Sequence, residues 1–201
     1  MNNILLERLI ERVKTENNGM YQAFLIPEDI SKIITTYTAM KADLEYVGNV
    51  AQELIDYEHS DLITISVWTS LLITYGKCFV DATNTRSPKL ESKDCFTDRE
   101  SMLEKTHKEL MNLRHNFVAH RGITAYEASL CFLTIGTEKF GIGVKTVKRV
   151  LPERATLIDI ILLVEHLGQI VDLKYKVASA KLLQGIQNNY NAEQMQQFRI
   201  I

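Results

Sequence analysis

The chain lacks any apolar run of the roughly 20 residues that a bilayer crossing needs. Its most hydrophobic stretch, residues 62–77, is interrupted by Thr, Ser, Tyr, Gly and Lys. It also lacks a basic leader: Met1-Asn2-Asn3-Ile4 is followed by Glu7 and Glu11, which argues against a signal peptide. Cysteine is scarce and odd in number. Cys78, Cys95 and Cys131 stand far apart, which excludes a disulfide framework or a zinc site and predicts reduced thiols in a cytoplasm. No repeat and no low-complexity linker breaks the sequence. With a net charge of −2 the molecule as a whole does not attract polyanions. What remains is an ordinary globular composition, 46% hydrophobic and 24% charged over 201 residues, enough for one domain with a proper core.

The charge is unevenly placed. Residues 28–61 carry eight acidic side chains against Lys32 and Lys41. Residues 105–121 carry Lys105, Lys108, Arg114 and Arg121 against Glu109, with three histidines besides, and residues 145–154 carry Lys145, Lys148, Arg149 and Arg154 against Glu153. Solvated helix faces explain such clusters on charge alone, but a local basic region can also draw a polyanion to an acidic protein.

Hydrophobic periodicity gives the organisation. Residues 3–16 read as an amphipathic helix, with Ile4, Leu5, Leu9, Ile10 and Val13 on one side. Pro27 opens a long helix over 28–57, whose inner face would carry Ile30, Ile33, Ile34, Tyr37, Met40, Leu44, Val47, Val50, Leu54 and Tyr57. A third helix, 61–83, is apolar almost all round and would sit at the centre of a bundle. Residues 84–96 read as a loop. Thr97-Asp98-Arg99-Glu100 is a capping box that starts a fourth helix, ending near His120 and stopped by Gly122. Residues 128–135 and 142–150 alternate as two strands of a hairpin around Gly136–Gly141. A lone hairpin is only marginally stable in water, so this one must lie against the helices or a partner. Pro152 and Glu153 open a last long helix over about 153–188. The expected fold class is therefore all-α, a bundle of four to five main helices in a single domain over residues 1–201, its core about 28–188, with a β-hairpin at about 127–150 between the fourth helix and the last.

Leu113-Arg114-His115-Asn116-Phe117-Val118-Ala119-His120-Arg121-Gly122 holds the densest functional chemistry. Arg binds and neutralises phosphate, and His moves protons near neutral pH, so the two together suit phosphodiester chemistry without a metal or other cofactor. On a regular helix, Leu103, Leu110, Leu113 and Phe117 form an apolar stripe. Arg114 falls about 40° from Leu110, His120 about 80° to the other side, and His115 points away. Arg114 thus projects from an apolar face, where a charge needs compensation. A structural reading pairs it with Asp81 or a carboxylate of the acidic second helix, and makes His120 a helix C-terminal histidine. Arg114 and His120 lie about 120° and ~9 Å apart on such a helix, too far for easy convergence within one chain. A twofold axis that brings the patch against its own copy removes the difficulty.

Arg114-His115-Asn116-Phe117-Val118-Ala119-His120 resembles the motif of the HEPN superfamily, helical domains marked by an Arg, four to six residues and a His. Here five residues intervene, a polar residue follows the Arg, and Val118-Ala119-His120-Arg121 is similar to the common tail. The hairpin after the motif helix resembles an elaboration of branches related to abortive-infection proteins. The resemblance implies a metal-independent endoribonuclease working at a homodimer interface. It implies His120 as general acid/base, Arg114 as phosphate clamp and His115 as the auxiliary polar residue, with no cofactor. Asn116, four residues before His120, is a candidate orienting group, and Arg121 an auxiliary cation. The implied context is a cytoplasmic toxin or phage-defence effector, with RNA, a second copy and a cognate antitoxin protein as partners and no membrane. The alternative is a non-catalytic RNA- or protein-interaction module of the same fold. A third reading is a small-ligand-binding protein that uses Arg114 for an anionic group.

Other signals weigh less. Gly136–Gly141 has P-loop glycine spacing, but Ile142 stands where the lysine belongs and a strand follows in place of a helix. His59 and His166 read as core or surface histidines. Tyr75, Asp81 and Arg86 read equally as site residues or as packing and capping residues.

Overall fold

A computed structural model describes residues 3–17, 22–81, 87–96, 101–119, 127–135, 140–148, 152–196 and 198–199. It is mostly helical, with one two-stranded antiparallel hairpin set between helices. In chain order the elements are α1 (Asn3–Asn17), α2 (Glu28–Asp56), α3 (Asp61–Lys77), α4 (Ser92–Cys95), α5 (Ser101–Leu113), a π-helical segment (Arg114–Ala119), β1 (Glu127–Ile135), β2 (Phe140–Lys148), α6 (Arg154–Asn189) and α7 (Ala192–Gln196). Among the described residues, no helix is long and apolar enough to cross a membrane. The chain divides into two compact units, one of residues 1–35 and 175–201, the other of residues 36–174.

The larger unit is built on one apolar core. Met40, Leu44 and Val47 of α2, Trp68, Leu71, Leu72 and Tyr75 of α3, Leu110 and Leu113 of α5, and Leu157, Ile160, Leu163 and Leu167 of α6 are all buried in it. The three- and four-residue spacing of these side chains gives each helix an apolar stripe, and burial of the stripes supplies the stability that short helices lack alone. Gly48 lets α2 approach α6, since a Cβ there would sit 3.2 Å from Val164 Cγ2.

Several expectations change. The third helix ends at Lys77, not 83, where Cys78 N–H and Phe79 N–H bond back to the carbonyls of Tyr75 and Gly76 in tight turns. It is also less central than its composition implies: Leu62, at 75% exposure, Ile63 and Ile73 face solvent while Trp68, Leu71, Leu72 and Tyr75 are buried. The expected loop contains the helical turn α4, preceded by the buried Leu90, whose N–H bonds Cys78 O at 2.8 Å. Ile33 and Tyr57, expected on the inner face of the second helix, are exposed, and Leu163 of α6 joins the core. The capping box at 97–100 and Gly122 lie outside the described residues.

The hairpin is longer at its turn than expected. Ile135 pairs Phe140 and Thr134 pairs Gly141, so the strands are 127–135 and 140–148. The Thr134 hydroxyl donates to Gly141 O at 3.0 Å, which fastens that end.

The smaller unit is tied by Leu25 N–H donating to Phe198 O at 2.6 Å and by an apolar cleft in which Pro27, Ile186, Tyr190 and Phe198 meet. A reciprocal capping box starts α7: Gln194 N–H donates to Asn191 Oδ1 at 2.8 Å and Asn191 N–H to Gln194 Oε1 at 2.9 Å. The apolar side of α1, with Ile4, Leu5, Leu9 and Val13, is exposed.

A buried histidine locks α3, α4 and α5 together. His107 Nδ1 lies 2.7 Å from the Tyr75 hydroxyl and Nε2 lies 2.9 Å from Ser92 Oγ, with the rings of Phe79 and Phe96 against the imidazole. Burial raises the Tyr75 pKa, so its phenol stays neutral. Tyr75 has no other acceptor among the described residues, so it donates to Nδ1, and Nε2–H then donates to Ser92. Desolvation lowers the His107 pKa to about 4 from 6.5. A base whose folded pKa lies below its unfolded value is fully accommodated above about pH 6.5, and that stability is lost as pH falls toward 4. Thermal melts should therefore show a midpoint falling by several degrees across this window, and a flatter pH dependence in His107→Leu. Equal slopes in the two proteins would show that His107 does not carry the effect.

Candidate functional site

The motif residues sit where α5 meets α3. Leu110 and Leu113 anchor α5 in the core, as the apolar stripe predicts, and Leu103 is half-buried beside them. After Leu113 the backbone changes: Arg114–Ala119 is a π-helical segment, with hydrogen bonds reaching one residue further than in an α-helix. A regular period of about 100° per residue does not describe residues 114–119, and His120 lies outside the described residues. Wide turns of this kind are rare, cost backbone packing and occur frequently at functional sites.

Arg114 is half-buried and lies across α3. Its Cδ and Nε occupy the space where a Cβ on Gly76 would stand, so a glycine is what lets the stem cross the helix there. Tyr75 and Gly76 are consecutive: one holds His107 and the other receives Arg114, seven residues further along the motif helix. Two of the carboxylates that the sequence offers to Arg114 pair with lysines. Asp43 accepts from Lys77 at 2.8 Å and Asp81 from Lys89 at 2.9 Å. Among the described residues the Arg114 guanidinium has no ion-pair or hydrogen-bond partner. An arginine held by its stem, with no partner for its donors among the described residues, has the chemistry to bind an anion.

His115 is exposed, consistent with its pointing away from the apolar stripe. Asn116 is half-buried, and its amide donates to Asn112 Oδ1 one turn back, so that donor is committed. His120 and Arg121 lie outside the described residues. The structure thus brings Arg114 and Gly76 together. Of the other singled-out residues, Tyr75 is core and Arg86 lies outside the described residues. His166 is half-buried and donates to Cys95 O at 2.7 Å, and His59 lies 3.5 Å from Glu53. Among the described residues no three His, Cys, Asp or Glu side chains converge on a point that would hold a metal.

Two residues of this region escaped sequence reasoning. Gly76 had a signal: an isolated glycine inside an apolar helix costs about 1 kcal/mol against alanine and calls for a packing reason. His107 stood at the margin of the α5 stripe, and nothing in sequence tells a buried hydrogen-bonded histidine from a solvated one. No protein-family model, no curated protein and no solved structure matches the chain.

The atoms that Gly76→Ala would meet belong to the outer part of a flexible side chain, so Arg114 gives way and the helix persists. The substitution should change stability by less than about 1 kcal/mol in wild type, because the alanine's helix gain is offset by displacing Arg114. In an Arg114→Ala background the same change should gain the full ~1 kcal/mol. Urea unfolding of the four proteins measures this coupling, and identical effects in the two backgrounds would contradict the packing described.

Proposed function

We propose that the chain is a HEPN-type, metal-independent endoribonuclease acting as a homodimer, its helices a bundle of four to five main members with the hairpin as an insert. The observation that carries this reading is Arg114, half-buried, its stem laid over Gly76 and its guanidinium without a partner among the described residues, at the start of a π-helical turn. In the reaction the RNA 2′-oxygen gives up its proton to a base and bonds to the neighbouring phosphorus. The bond from phosphorus to the 5′-oxygen breaks, and an acid returns a proton to that leaving oxygen. The products are a 2′,3′-cyclic phosphate and a 5′-hydroxyl end. His120 is the proton carrier, Arg114 neutralises the charge that builds on the phosphoryl oxygens, and His115 and Arg121 attract the flanking backbone. The two copies together complete a composite site at their interface. The context is a cytoplasmic toxin or phage-defence effector held in check by an antitoxin protein.

A non-catalytic interaction module of the same fold is the second reading, and the exposed apolar hairpin favours it. Cleavage of a labelled RNA in EDTA separates the two. The enzyme reading expects cyclic-phosphate ends, a loss of about 10²–10⁴-fold in His120→Ala, and a comparable loss in Arg114→Ala that Arg114→Lys does not restore, because lysine cannot bind phosphate in a bidentate manner. Unchanged cleavage by a folded, dimeric His120→Ala protein would overturn it.

A further inference from the structure

A groove of about 670 Å³ runs between α2 and α6 within the larger unit, a size ordinary for a small-molecule site. Three contacts fix how the two helices lie. Lys41 Nζ donates to Asp172 Oδ1 at 2.8 Å, Gly48 faces Val164, and Arg154 Nη1 donates to Ile55 O at 3.3 Å. Partners rise in number on α2 as they fall on α6, so the helices are antiparallel. Leu44 and Val164, both buried, give the groove an apolar floor. Gly168, level with Glu45 in this register, adds bare backbone: nothing lies within 4 Å of where its Cβ would stand. A glycine inside a helix weakens it and calls for a reason. Gly48 has one in its close approach to Val164. Gly168 has no neighbour to accommodate, and what its missing side chain leaves is room in the groove.

The walls are negative. Three carboxylates, Glu45, Glu165 and Asp172, stand against one ammonium, Lys41, and Asp172 takes it. The raised pKa of Lys41 comes first from its bond to Asp172 and last from Glu45. Among the described residues neither Glu45 nor Glu165 has a hydrogen-bond or ion-pair partner. They occupy opposite walls, staggered by ~4 Å along the groove, on helix axes about 8–10 Å apart. They are thus spread out, and among the described residues no three His, Cys, Asp or Glu side chains gather to hold a metal ion. A point charge has no cage here, whereas a chain of charges meets a carboxylate on each wall.

We infer that the groove binds an extended aliphatic polyamine. Its ammonium groups bond to Glu45 and Glu165, and its methylenes lie over Leu44, Val164 and the Gly168 backbone. The carboxamide oxygens of Asn49 and Gln169, on the same walls, accept its remaining N–H groups. None of these residues belongs to the 114–121 motif, so the site is independent of the proposed RNA chemistry.

Spermine is the probe, titrated into the full-length protein by calorimetry at low salt. It should saturate one site per chain with a Kd below about 1 mM, and bind more weakly as salt is raised. Glu45→Gln with Glu165→Gln, both exposed, should weaken binding roughly tenfold, the worth of two solvent-facing ion pairs, with unchanged far-UV circular dichroism. Gly168→Leu keeps every charge, fills the hollow and should weaken binding comparably. Glu53→Gln with Glu58→Gln removes two carboxylates outside the groove and should leave the affinity nearly unchanged. No saturable binding, or binding that the groove substitutions leave untouched, would overturn the assignment. An equal loss in the Glu53 and Glu58 control, or displacement of spermine by magnesium ions at matched charge, would overturn it too, because either marks diffuse attraction to an acidic helix.

Discussion

Two consecutive residues of α3 govern the contact on which the site depends. Tyr75 reaches into the core to hold His107, and Gly76 leaves the surface open for the stem of Arg114. The first fixes where α5 lies, by a hydrogen bond in a place where leaving either group unpaired costs about 1–3 kcal/mol. The second fixes what α5 can present once it is there. A side chain at position 76 would deny Arg114 its path across α3, and a loss of the Tyr75–His107 bond would loosen the helix that carries it. Fold and candidate chemistry therefore share one seam.

Charge is distributed to match. The acidic character of α2 is met partly by lysines, with Asp43 on Lys77 and Lys41 reaching Asp172 of α6. These are exposed pairs of modest worth. Asp43 and Asp81 are engaged by lysines, and among the described residues Arg114 has no carboxylate partner. The buried histidine two turns away is kept neutral by desolvation, so it adds no cation. The π-helical turn that follows Leu113 then sets the direction of the residues after Arg114. The anchored stem and the widened turn are the features on which the proposed site rests.

Much of the architecture was legible in the sequence because it rests on periodicity. The long apolar stripes of α2 and α6, the Leu110–Leu113 face and the hairpin alternation follow from which residues must leave water. What was illegible depends on particular contacts. Helix α3 looked buried all round, yet Leu62, Ile63 and Ile73 face solvent, since composition does not say which sides receive neighbours. The widened turn at 114–119 leaves no trace in hydrophobic spacing, so the sequence pattern reads straight through it as α-helix. Asp81 and Asp43, two of the carboxylates that a structural reading offers to Arg114, pair with Lys89 and Lys77, and hydrophobic spacing does not reveal those pairs. The chemical types of the motif could be read directly, whereas their positioning through Gly76 could not.

The most direct test of a site shared between copies is to co-express Arg114→Ala and His120→Ala chains under separate tags and isolate the mixed dimer. Each parent lacks one half of the chemistry in both chains, while the mixed dimer retains one Arg114 and one His120 on opposite subunits. The account predicts RNA cleavage by the mixed dimer well above that of either parent, with the same cyclic-phosphate ends. A mixed dimer as inactive as its parents would contradict it.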